Sequence, residues 1–134
     1  GPSDEALSLS LSLSLSLVRQ GTTMVHQTFR NAKRFNQDIS AWDMSMVWRA
    51  NNLFWGAAAF NQPIGKWNTT AMNETAKMFE DAAAFNQDLS NWTATPKDCT
   101  DFAKGATAWV AQYGAGSASP PLGKGMVPLC QLSA

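Results

Sequence analysis

FNQDISAW at residues 35–42, FNQPIGKW at 60–67 and FNQDLSNW at 85–92 are near-copies of one octet, set at a constant interval along the chain. A fixed period of that length marks a repeat architecture. Each copy is one supersecondary unit that cannot bury its apolar face alone and must stack on its neighbours. Aligned on that interval, Phe35, Phe60 and Phe85 coincide, as do Ile39, Ile64 and Leu89, and Trp42, Trp67 and Trp92. Upstream of each octet Phe29, Phe54 and Phe79 coincide too, followed three residues later by Ala32, Ala57 and Ala82.

The segment before each octet predicts a helix. Val47, Ala50, Phe54 and Ala57 are spaced i, i+3, i+7, i+10, as on one α-helical face, and Met72, Thr75, Phe79 and Ala82 repeat the pattern. The apolar run at 39–42 is too short for a helix and suits a strand. Each unit is therefore expected to be a helix, a polar turn and a short strand. With strands about 4.8 Å apart, three to four such coils would make a stack roughly 15–20 Å long. Asn36, Asn61 and Asn86 fall at the turn. They are expected to form a ladder of side-chain amides on the turn backbone of neighbouring coils, because a buried turn leaves N–H and C=O groups that need partners.

Both ends of the series degrade. Stepping back one period from Trp42 and Ile39 reaches Leu17 and Ser14, so the first coil keeps only its helical half, around 24–34. Stepping forward, Phe102 arrives two residues early, Pro96 stands where a helix would begin, and the unit ends in Trp109 instead of Phe-Asn-Gln. That last unit reads as a cap. Cys99 and Cys130 bracket it; a bridge between them would close a loop of about 30 residues and contribute roughly 3–4 kcal/mol, the alternative being two buried thiols. A bridge implies an oxidising compartment. The chain thus divides into a low-complexity head at 1–21, a repeat body at 22–114 and a Gly/Ser/Pro-rich tail and cap at 115–134.

The head alternates strictly, LSLSLSLSLSL at 7–17. As a strand it would put every Leu on one face; as a translated dinucleotide tract it would be low-complexity sequence. It is too short and too rich in serine to span a bilayer, which takes about 20 apolar residues, so no transmembrane helix is expected. The opening GPSD fits a tag remnant, a processed end or the cut end of a longer chain.

Composition bounds the function. The 134 residues carry ten basic and ten acidic side chains for a formal charge of zero, and no Lys/Arg run interleaved with aromatics, which argues against nucleic acid. Charged residues make up only 15% beside six Trp and seven Phe, which leaves much neutral or apolar surface and favours association with another protein. No catalytic, cofactor or metal site is expected: His26 is the single histidine and has no partner base, and no ligand set has zinc-like spacing. The Asp38 and Asp88 positions recur only with the repeat, and Pro63 breaks the series. Three glycosylation sequons begin at Asn68, Asn73 and Asn91, where this composition gives about one or two by chance, so they carry little weight.

The copies disagree most around the second unit. Trp48 and Trp55 are seven apart, which on a helix gives them a common face beside the core stripe, with Asn52 between them. Their counterparts are Thr23 and Arg30 one repeat back, and Asn73 and Glu80 one repeat on. Trp dominates interface energetics when desolvated, so Trp48, Trp55 and Asn52 are the expected partner-binding residues. Sideways packing against adjacent helices or the tail is the other reading.

FNQDISAWD, the downstream Met78-Phe79 and the alanine three residues beyond resemble the BspA-like surface-protein repeats, whose length matches this spacing and which are found also in mycoplasmal lipoproteins and marine algal proteins. The likeness runs over 29–92 and more loosely over 93–130, where DFAKGATAWVAQYG and the later PPL and Cys look like the closing unit of algal members. The family's usual strand-to-helix wording is replaced by WDMSMVWRANN at 42–52 and WNTTAMNET at 67–75. The resemblance implies a leucine-rich-repeat-like relative whose known roles are adhesion and binding. The expected fold is a short right-handed α/β solenoid: about three coils, a half coil before them and a disulfide-linked cap. The expected function is a non-enzymatic protein-binding or scaffold module. It would be either a structural subunit of a larger, membrane-associated assembly or a secreted or cell-surface adhesion protein, and in both cases extracytosolic, an organelle lumen included.

Overall fold

A computed structural model describes residues 22–114 and 121–132; the Leu-Ser alternation at 7–17 lies outside them. Successive passes of the chain lie parallel and in register, joined by the isolated bridges Met24 to Arg49, Arg49 to Glu74, and Glu74 to Asp98. The first two bridges each span the full sequence period, so that period is the length of one tier, and the third tier is one residue short.

The tiers are not built as expected. Among the described residues the only α-helix is α1, Thr107–Tyr113, with one 3-10 turn at Lys124–Met126 and no strand. The segments 47–57 and 72–82, expected to be helical, are made chiefly of turns, and 39–42 is turn and irregular chain rather than strand. The α/β solenoid expected from the sequence is thereby overturned.

The reason lies in where the backbone hydrogen bonds go. The N–H groups of Val25, Gln27, Phe29 and Asn31 donate to the carbonyls of Arg49, Asn51, Leu53 and Trp55 on the next tier. Ala50, Asn52, Phe54 and Gly56 donate to Glu74, Ala76, Met78 and Glu80, and Thr75, Lys77, Phe79 and Asp81 to Asp98, Thr100, Phe102 and Lys104. The alternate residues turn inward on their own tier: Leu53 donates to Ala50, Trp55 to Asn52 and Ala57 to Phe54, each three residues back. A helix would bond every N–H to the carbonyl four residues back. Here half of them reach the neighbouring coil, and the rest close β-turns. Every second turn, such as those closed by Leu53 and Ala57, carries a left-handed residue at its third position, as a type II turn requires, and such residues stand at Gln27, Asn31, Asn52, Gly56, Lys77, Asp81, Asp101 and Gly105. Asn, Asp and Gly, which tolerate that conformation best, fill six of the eight places.

The core runs through the stack as columns of rings. Phe29, Phe54 and Phe79 stack with centroids 5.8 and 5.4 Å apart, and Phe35, Phe60 and Phe85 at 5.6 and 5.9 Å. Within each tier the two rings touch, at 3.9, 4.1 and 4.2 Å. Trp42, Trp67 and Trp92 are buried beside them. The Trp67 and Trp92 indoles donate to the carbonyls of Ile39 and Ile64 one tier back, at 3.0 and 2.9 Å. At the polar corner the Asn61 N–H donates to Asn36 Oδ1 at 2.8 Å and the Asn86 N–H to Asn61 Oδ1 at 2.9 Å. Gln62 and Gln87 add a second rail, their Nε2 groups donating to the same two oxygens at 3.0 and 2.9 Å.

The closing tier shows a register that differs from the sequence alignment. Phe79 donates to Phe102, as Phe54 does to Met78 and Phe29 to Leu53. Phe102 therefore belongs to the Leu53/Met78 column, and not to the column of Phe79 as the spacing suggested. Ala103 takes the Phe79 place, and Trp109, on α1, takes that of Phe85, its ring 4.9 Å away and perpendicular to it. The tail then completes the tier: Leu122 bridges in parallel to Leu89, whose N–H donates to the Pro121 carbonyl at 2.8 Å. Cys99 and Cys130 form a disulfide, Cα atoms 5.2 Å apart, that pins the tail across the stack.

Candidate partner-binding surface

Absence of a helix at 47–57 removes the common face that the seven-residue spacing gave Trp48 and Trp55. Trp55 sits in the turn string, half-buried, with the Arg30 guanidinium 4.2 Å and the Lys77 ammonium 4.9 Å from the ring centre. Each cation over the ring contributes about 0.5–1 kcal/mol, so this indole is covered by its own chain rather than presented. Asn52 is one of the left-handed turn residues, its N–H spent on the Ala76 carbonyl.

Trp48 has different company. Its N–H donates to the Thr23 carbonyl at 2.9 Å, and Met24 is bridged to Arg49, the next residue along. Met46 precedes Trp48 by two residues on the same pass. Met24, Met46 and Trp48 are 45, 57 and 39% exposed; the one other exposed large apolar side chain among the described residues, Leu129, lies in the tail. Three of four such side chains thus gather around one backbone junction of the first two tiers. A polar network borders them: Arg49 Nε lies 3.2 Å from Glu74 Oε2, which also accepts from Asn51 Nδ2 at 3.0 Å. Both ends of that ion pair are substantially exposed, so it orders the rim more than it stabilises the fold.

Met24 and Met46 were missed by the sequence reading. Met46 stands at the place of Ala71 one repeat on, and Met24 at the places of Arg49, Glu74 and Asp98. The signal was the same kind of departure from the repeat that singled out Trp48.

A family model described as "Mycoplasma protein of unknown function, DUF285" matches residues 16–114. The chain belongs to that family. The DUF285 match ends at Gly114, the residue after α1, so the tail that completes the last tier, together with Cys130, lies beyond it. Searches of curated proteins and of solved structures found no match. No helix among the described residues is long and apolar enough to cross a membrane. The Cys99–Cys130 disulfide is compatible with an extracytosolic setting.

Proposed function

We propose that this DUF285 chain is a non-enzymatic binding or scaffold module, a structural subunit that contacts a larger protein assembly through Met24, Met46 and Trp48. The observation that carries this reading is the gathering of exposed apolar side chains on one junction of an otherwise uniform stack. Scattered single apolar residues are ordinary on a protein surface, but a cluster of Met and Trp is the composition of an interface core. Met adapts to the partner's shape, and Trp supplies the large desolvated area of a hot spot.

A second reading is a secreted or cell-surface adhesion protein. It draws on the likeness of the octets to BspA-like surface repeats and on the disulfide. Fractionation by size separates the two readings. Under the subunit reading the native protein runs in a high-mass complex, and Met24→Ser, Met46→Ser and Trp48→Asn together shift it to the monomer position without changing its melting temperature. Retention of the triple variant in the complex would sink the assigned surface. A native chain that runs as a cooperative monomer would sink the subunit reading and leave adhesion.

A further inference from the structure

The three sequons, Asn68-Thr69-Thr70, Asn73-Glu74-Thr75 and Asn91-Trp92-Thr93, are alike in sequence, but the tiers treat them differently. We infer that Asn68 and Asn91 are acceptors of N-linked glycans and that Asn73 is not. Asn73 is half-buried, its carbonyl accepts the Lys97 N–H at 2.8 Å, and its Oδ1 lies 3.3 Å from the same nitrogen. The hydroxyl of its sequon is worse placed: Thr75 is fully buried, with Oγ1 3.3 Å from both the Asp98 carbonyl and Cys99 Sγ. A sugar on Asn73 would crowd the contact between the last two tiers, and the buried Thr75 hydroxyl is closed to a transferase acting on the folded chain.

Asn68 and Asn91 are exposed, as are Thr70 and Thr93. The Asn68 amide oxygen accepts the Thr70 N–H at 3.1 Å, an Asx turn that occupies the oxygen and leaves Nδ2, the atom to be modified, free of bonds to the described residues. Asn91 lines two open hollows of about 320 and 390 Å³, which leave room beside it for a first sugar. The two sequons also lie side by side on adjacent tiers, the Thr70 and Thr93 hydroxyls 2.8 Å apart. The disulfide provides an independent link: an oxidising lumen that forms it is the same kind of compartment that holds the glycosylating machinery.

The donor is a polyprenyl-pyrophosphate-linked oligosaccharide, brought by an oligosaccharyltransferase. The asparagine Nδ2 attacks the anomeric carbon, the carbon–nitrogen bond forms, the carbon–oxygen bond to phosphate breaks, the amide loses a proton to the transferase's base, and polyprenyl pyrophosphate leaves. On a stack with so few charges, two bulky polar chains would also solvate one face and restrict that face as a docking surface.

The test is secretion of the full chain from a eukaryotic host, followed by peptide N-glycosidase in ¹⁸O water, which converts each used asparagine to labelled aspartate. Peptide mapping of the unaltered protein is expected to show label at Asn68 and Asn91 and none at Asn73. Asn68→Gln and Asn91→Gln are each expected to remove one glycan from the intact mass, and Asn73→Gln none. No label, label at Asn73, or label confined to one of the pair would overturn the inference. The mapping needs no variant, so a folding defect cannot obscure the answer.

Discussion

Replacing Gly56 by Ala separates a turn-built tier from a helical one by the sign of the effect. In a helix interior Ala is more favourable than Gly by about 0.8–1.0 kcal/mol, so the substitution would stabilise the protein by about that much. In the turn string Gly56 has φ +75°, and an L side chain there costs about 1–2 kcal/mol. The added Cβ would also lie 2.4 Å from Asn31 Oδ1, the end of an exposed side chain that can rotate away at little cost. Loss of glycine's freedom in the unfolded chain returns about 0.4–1 kcal/mol. The net expectation is a destabilisation of about 1 kcal/mol, some 2 kcal/mol from the helical expectation and opposite in sign. Urea unfolding followed by tryptophan fluorescence measures it, with an unchanged slope showing that the same fold is being compared. On heating, the midpoint should fall by roughly 3–6 °C. The mirror substitution is Gln27→Gly, at φ +63°, which should be neutral or stabilising by up to about 1 kcal/mol where a helix would lose that amount. A stabilised Gly56→Ala together with a destabilised Gln27→Gly would refute the turn-built tier.

Further expectations concern the tail, the disulfide and acid. Gly123→Ala would put a Cβ 1.8 Å from the Trp92 carbonyl oxygen, so the tail must lift, losing burial of Leu122 and Met126; limited proteolysis near Gly123 and a loss of roughly 2–4 kcal/mol are expected, and a native-like melt would show that the tail does not lie across Trp92. Replacing both Cys99 and Cys130 by Ser opens a loop spanning 31 residues and should lower stability by about 3–4 kcal/mol in chemical unfolding; no change would mean that the tail closes the last tier by packing alone. Asp38, Asp43 and Asp88 each accept the hydroxyl and N–H of the serine two residues on, which holds their carboxyls below the ordinary carboxylate value. Their folded pKa values being depressed, the stability they contribute is present above the unfolded carboxylate pKa and lost as pH falls through the folded values. Melting temperature should therefore drop as pH falls below about 4, and Asp38→Asn, Asp43→Asn and Asp88→Asn together should flatten that drop; a parallel acid curve would remove these aspartates as its cause.

The recurrence of Phe, Asn and Trp at a constant interval was legible because a stacked architecture needs the same residue at the same height in each tier. The backbone conformation was not. Inward-facing Ala50, Leu53, Phe54 and Ala57 fall at i, i+3, i+4 and i+7, which is what an amphipathic helix would show. A string of overlapping β-turns whose left-handed residue recurs every four positions has almost the same period as a helix of about 3.6 residues per turn. The discriminating signal was chemical: Asn31, Gly56, Asp81 and Gly105 share one column, and all three residue types accept positive φ. The exposure of Trp48 and the covering of Trp55 have a related reason. Trp48 was found because it departs from its repeat, whereas its pairing with Trp55 rested on a helix that does not form.

The sequence by itself determined the period, the columns that must coincide, the imperfect ends and the single pairing open to two cysteines within one chain. Only the tertiary structure decided how the backbone satisfies its hydrogen bonds, because a helix and a turn string bury the same side chains. The choice between them is made by carbonyls on the next coil, almost a full period away along the chain. It also decided the register of the closing tier, where one residue is lost between Trp92 and Cys99. Spacing from Phe to Phe cannot reveal that loss, but the bond from Phe79 to Phe102 does.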